Sequence, residues 1–250
     1  MTNEYQRMAS ILSESLVLAQ APVAVCLVDS PPEGVPHHAG TVPAGCVFWQ
    51  SGAQRGFVTT ASDHRLCAIG VHTHNLQPGP QQASELAVAM KAFAELGYLR
   101  PQDIAAVPVL QTRPKHIIYS PLANAPATPS AVLLFVKAQS ALILSEACQQ
   151  VEGGYPPAMG RPACGAVPHA INTGYAAFSL GCCGARAYMD IFADDIALYA
   201  IPGARLDAYV DRVQVLSKAN QVLGRFHEIR RKDVEAGRTP TINESLAALG

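Results

Sequence analysis

Apolar residues recur at near-helical spacing over residues 4–20, where Met8, Ile11, Leu12, Leu16 and Leu18 mark one side of a helix. Pro22 ends it, and the unbroken run Val23-Ala24-Val25-Cys26-Leu27-Val28 predicts a buried strand. Residues 30–45, rich in proline, glycine and histidine, read as a loop, and Cys46-Val47-Phe48-Trp49-Gln50 opens a short helix. A strand over 56–60 leads into the turn Asp63-His64-Arg65-Leu66-Cys67, after which His72 and His74 alternate as on an extended chain. Residues 82–97 predict an amphipathic helix with Leu86, Met90, Phe93 and Leu96 on one face, closed by Gly97. The segment 101–114 is punctuated by prolines.

Strands follow over 115–122 and 131–136, then a helix over 138–151, broken by Gly153-Gly154. Pro162-Ala163-Cys164-Gly165 reads as a turn and 170–180 as an extended segment. A carboxylate turn at Asp194-Asp195 leads into a strand over 196–201, and helices over 204–218 and about 219–236 complete the chain. The succession predicts an α/β (or α+β) fold. It is one compact domain over residues 1–236, with a mixed sheet flanked by helices, a helical C-terminal segment and a polar tail over 237–250 that frays.

Composition narrows the classes of function. The 250 residues are 49% hydrophobic and 15% charged, enough for one well-filled core. Mean hydropathy is +0.15, and no apolar run reaches the roughly 18 residues that span a bilayer. We therefore expect no membrane partner, and the surplus apolar surface points to a homo-oligomer, most simply a dimer. Net charge is −1 and the isoelectric point about 6.7, so no nucleic-acid footprint is present. The N-terminal residues lack a charged-then-apolar signal pattern, and seven cysteines do not suit a disulfide framework. The expected location is the cytoplasm.

The cysteines are the chemistry-bearing residues. Cys46, Cys67, Cys164 and Cys182 stand beside glycines or at the ends of predicted elements. Glycine permits the tight turns and close backbone approach needed to aim sulfurs at a shared centre. Cys26, mid-strand among apolar neighbours, reads as a core thiol, and Cys148 as core or interface. Four thiolates from four loops can hold a [4Fe–4S] cluster or a structural zinc ion. Zinc sites usually use ligand pairs close in sequence, and the only such pairs here are Cys182-Cys183 and His64-x-x-Cys67. A larger cage tolerates scattered ligands better.

His64 can ligate alongside Cys67, donate a hydrogen bond to its sulfur, or cap the following segment. Arg186, in Cys182-Cys183-Gly184-Ala185-Arg186, offers a planar fork for a carboxylate or phosphate, or forms a salt bridge to Asp190, Asp194 or Asp195. The G-x-S-x-G element, the P-loop and the G-x-G-x-x-G loop are all missing from the sequence.

The order Ala21-Pro22-Val23-Ala24-Val25, Cys46, Asp63-His64-x-x-Cys67-Ala68-Ile69-Gly70, Gly153-Gly154, Ala163-Cys164 and Ser179-Leu180-Gly181-Cys182-x-Gly184-x-Arg186 resembles the DUF169 family (ArCR, COG2043) from about residue 10 to 235. The resemblance implies that the family's cysteines correspond to Cys46, Cys67, Cys164 and Cys182, with Cys26, Cys148 and Cys183 outside the set. The family often has lysine where this chain has Cys26. The expectation is then a [4Fe–4S] cofactor on these four cysteines, with a redox or Lewis-acid role on a small anionic substrate clamped by Arg186, as in an oxidoreductase or lyase. The other readings are a metal-free thiol enzyme with Cys182 as nucleophile, and a non-enzymatic protein that binds a metal or small ligand.

Overall fold

The computed structural model describes residues 2–77 and 79–249. Helix α1 (Thr2–Leu16) precedes strand β1 (Val23–Val28), helix α2 (Val47–Gly52) and strand β2 (Phe57–Thr59). Helices α3 (Ala68–Thr73), α4 (Pro80–Glu95) and α5 (Pro101–Ile104) follow, then strands β3 (His116–Pro121) and β4 (Ala131–Val136). Helix α6 (Ala138–Glu152), strand β5 (Ala158–Met159), helix α7 (Ala166–Thr173) and strand β6 (Ala177–Ser179) come next. The chain ends with α8 (Cys183–Tyr188), β7 (Ala197–Pro202), α9 (Leu206–Glu235) and α10 (Ile242–Ala247).

The strands form one mixed sheet in the order β2-β3-β1-β4-β7-β6-β5, antiparallel throughout except for the parallel pair β5–β6. The period-2 geometry of a strand sorts its residues to two faces. On β4, Leu133 and Phe135 enter one core, and Val132, Leu134 and Val136 the other. β1, β3 and β7 divide likewise: Val25, Tyr119 and Leu198 point one way, Ala24, Ile118 and Tyr199 the other. Both faces are covered, which is why these strands read as continuous apolar runs. The first face carries α2, α3, α7 and α8; the second carries α1, α6 and α9.

Three local expectations are corrected. The extended segment expected over 170–180 is mostly helical: α7 runs to Thr173, Gly174 ends it at φ +68°, and only Ala177–Ser179 is strand. Pro168 lies in the first turn of α7, where a missing N–H breaks no helical hydrogen bond. The two expected C-terminal helices are one, α9, because no proline interrupts it and a lone Gly224 is tolerated. The tail expected to fray carries α10, started by a reciprocal cap between Thr241 and Glu244. Arg230 ties it back to α9 by donating to Pro240 O and Ser245 Oγ.

Leu134→Ala, at a fully buried position, should destabilise the protein by about 2–5 kcal/mol in urea unfolding. Thr241→Ala should leave the global transition in place. It should lower the local stability of α10 by about 0.5–2 kcal/mol, seen as faster proteolysis beyond residue 236.

Candidate functional site

The four glycine-associated cysteines all lie at helix starts on one side of the sheet. Cys46 precedes α2, Cys67 precedes α3, Cys182 precedes α8, and Cys164 lies in the 3₁₀ turn Ala163–Gly165 that runs into α7. Cys46 belongs to the core of this face, and Cys67, Cys164 and Cys182 pack against it. Cys26 and Cys148 belong to the core across the sheet. There Cys26 Sγ donates to Ala127 O and Cys148 Sγ to a Glu152 carboxylate oxygen. Burial pushes the Cys26 thiol up to about 12 and that of Cys148 to about 11, so both are inert packing groups.

Cys46, Cys67, Cys164 and Cys182 line one cavity of about 860 Å³. Cys46 feels Cys67 and Cys182, and Cys164 feels Cys67, Cys182 and Cys46. Burial first, then these neighbours, push the Cys46 thiol up to about 12, and the same causes raise Cys164 well above its ordinary value. The Thr73 hydroxyl opposes this at Cys164, lying 3.3 Å from its sulfur. Four thiolates gathered here repel one another, and a cation among them removes that penalty.

Two of the glycines lie near the Cys67 sulfur. A Cβ on Gly70 would lie 2.8 Å from Cys67 Sγ; one on Gly45 would meet His64 Nδ1 at 3.0 Å and Cys67 Sγ at 3.8 Å. Gly181 turns the chain at φ +86° into Cys182, with the Phe192 ring against it.

His64 is buried behind Gly45 and Cys67, not on the cavity wall. The single hydrogen of Thr59 Oγ1 goes to Ile117 O at 3.1 Å, so the hydroxyl accepts from His64 Nε2 at 3.2 Å. Nδ1 then carries a bare lone pair with no partner. His74 is also buried. Its Nδ1 lies 3.0 Å from Gly70 O and must donate, which leaves Nε2 as a second bare lone pair. The expectation that His72 and His74 share a face of an extended chain is corrected. They sit on and just after helix α3, with His72 exposed and His74 buried.

Arg186 does not line the cavity. Its guanidinium donates to Ala193 O at 2.9 Å and also reaches the carbonyls of Leu180, Phe192 and Ile196, pinning the loop around α8. The ion pair expected between Arg186 and the acidic turn is made instead by Lys137, 3.0 Å from Asp195. Among the described residues, Arg161 is the one lysine or arginine on the cavity wall, its guanidinium 3.7 Å above the Tyr98 ring. Tyr98 Oη and Cys183 Sγ approach to 2.9 Å, and burial followed by this hydrogen bond raises the tyrosine to about 12. Sequence reasoning missed Tyr98, Arg161 and Tyr119, since no motif marks them. Only the strand register shows that Tyr119 points toward the thiols.

Among the described residues no group of three or more His, Cys, Asp or Glu side chains is arranged to hold a single metal ion. Also among them, no hydrogen bond joins Cys182 to an imidazole, so a Cys–His nucleophile pair is not formed. The donor chemistry fits a cage larger than one ion: four thiols, from four separate elements, around a common space.

A mixed sheet covered on both faces, with four cysteines lining a cavity on one of them, defines an α/β protein with a thiol-lined cavity. Residues 11–212 match the DUF169 family, described as Uncharacterised ArCR, COG2043, and the chain belongs to that family. No curated protein and no solved structure matches it. Among the described residues, no helix is long and apolar enough to cross a membrane.

Three measurements check this geometry. Gly70→Ala should displace Cys67 and change its alkylation rate, with the fold kept by circular dichroism. Arg186→Lys should lower thermal stability, because one ammonium cannot span four carbonyls. Burial holds His64 near 3 and His74 near 4, below the ordinary 6.5. The unfolded chain therefore binds more protons than the fold across that interval. Stability of the metal-free protein should fall as pH drops from 6.5 toward 3 and stay level above 6.5, and replacing both histidines with glutamine should flatten the slope of urea midpoint against pH.

Proposed function

We propose that Cys46, Cys67, Cys164 and Cys182 bind an iron–sulfur cluster, most simply [4Fe–4S], which serves a redox or Lewis-acid reaction on a small molecule in the adjoining cavity. The observation that carries this reading is the sorting of the thiols. Four cysteines spread from residue 46 to residue 182 line one cavity, with the exposed Cys183 next to the last of them, while the two inert thiols, Cys26 and Cys148, lie across the sheet. A structural role alone gives no reason for that separation.

The chain's own groups prepare such a site. Backbone N–H groups of Cys46 and Val47, at the start of α2, favour a negative sulfur at Cys46. The cluster, when bound, would supply one-electron capacity or an electrophilic iron. Leu86, Met90 and Phe93 of α4 add apolar side chains to the cavity lining. An anionic substrate group would meet Arg161, the cation on the wall, rather than Arg186. The substrate we expect therefore has an apolar body and one acidic group.

Anaerobic purification should give brown protein containing about four iron and four sulfide per chain. Serine at position 46, 67, 164 or 182 should each lower the iron content, and serine at 26 or 148 should not. Colourless protein holding zinc or no metal under these conditions would refute the cluster.

A further inference from the structure

Buried tyrosines in this fold have partners, with one exception. Across the sheet, Tyr199 Oη donates to Leu144 O at 3.1 Å, and Tyr209 Oη donates to Glu152 Oε1 at 2.9 Å. Tyr119, fully buried on the thiol side, has no partner for its hydroxyl among the described residues. The ring cannot swing to find one. It stacks on Phe48 with centroids 5.7 Å apart and packs against Phe57 at 5.9 Å. On β3 it is held between Val25 of β1 and Phe57 of β2. α2 presses so close that a Cβ on Gly52 would lie 2.9 Å from Tyr119 Cβ.

Phenylalanine would fill the same space without desolvating a polar group, so the hydroxyl calls for an explanation outside the packing. Its surroundings supply one. The ring belongs to the same core as Cys46, against which Cys67, Cys164 and Cys182 pack. A buried, immobile O–H on the thiol side of the sheet, with its hydrogen unused, is a hydrogen-bond donor in need of an acceptor.

We infer that the Tyr119 hydroxyl donates a hydrogen bond to the sulfur of the metal centre held by Cys46, Cys67, Cys164 and Cys182, and so tunes its reduction potential. The inference rests on the reading of those cysteines as a cluster site. Reduction adds negative charge to the centre, and a fixed donor stabilises the reduced form more than the oxidised one. Tyr119 therefore raises the potential.

The test compares Tyr119→Phe with Tyr199→Phe in anaerobically purified, cluster-loaded protein. Tyr119→Phe should keep iron and sulfide near the wild-type content. Its reduction equilibrium should shift about tenfold toward the oxidised form, about 59 mV for one electron, in a dye-mediated titration. Its metal-free form should melt at the wild-type temperature or above, since an unsatisfied polar group has been removed. Tyr199→Phe should do the reverse, with lower melting and an unchanged potential. Tyr119→Leu also lacks the donor and should lower the potential, which guards against a folding defect peculiar to one variant. A loaded Tyr119→Phe whose potential equals or exceeds the wild type overturns this inference and leaves the cluster standing. Wild-type protein without iron and sulfide overturns both.

Discussion

The pairing of β1, β3, β4 and β7 with both faces buried is the constraint on which everything else depends. Each strand alternates its side chains, so a given register assigns every residue to one of two cores. One core joins α1, α6 and α9 to the sheet, and its hydrogen bonds are made among the chain's own groups, as at Tyr199 and Tyr209. The other holds the four helix-start cysteines, the two neutral imidazoles and the unpartnered Tyr119. Among the described residues, His64, His74 and Tyr119 carry unsatisfied polar atoms on the thiol side, and Ser120 of β3, paired with Ala24, carries one on the other. The division of labour is set by strand alternation and not by distance along the chain.

On the thiol side, electrostatics and sterics work together. Buried sulfur resists ionisation, and neighbouring sulfurs add to that resistance at Cys46 and Cys164. Backbone N–H groups at Cys46 and the Thr73 hydroxyl at Cys164 act in the opposite sense. The glycines leave room for this arrangement. A methyl group at Gly70 would press on the Cys67 sulfur, and one at Gly45 would crowd His64. The site therefore needs particular backbone shapes as much as particular ligands.

Much of the fold was legible because buried strands and amphipathic helices leave periodic traces. The strands over 115–122, 131–136 and 196–201 and the helix over 138–151 lie within two residues of β3, β4, β7 and α6. α7 was not legible: Pro168 and the β-branched residues around it mimic an extended segment, and only the cap at Gly174 marks the helix end. The long α9 was divided because a polar surface helix has no strong stripe to show continuity. At the site, glycine-flanked cysteines could be read directly, since their requirement is local. Arg186 could not, because its partners are main-chain carbonyls that leave no signature in side-chain sequence. Arg161 and Tyr98 come from segments far apart in sequence, and only tertiary packing joins them.

The spread of the four cysteines has a consequence for how the protein matures. Cys46 and Cys67 leave the ribosome long before Cys182, and β6, the strand just before Cys182, joins the sheet only by pairing with β7. The thiol wall is therefore complete only after residues 197–202 have been synthesised and have paired with β4. Until then the early cysteines wait as separate free thiols, open to oxidants or to a stray metal ion. A ligand that needs all four cysteines can therefore be fully held only once that last pairing has been made.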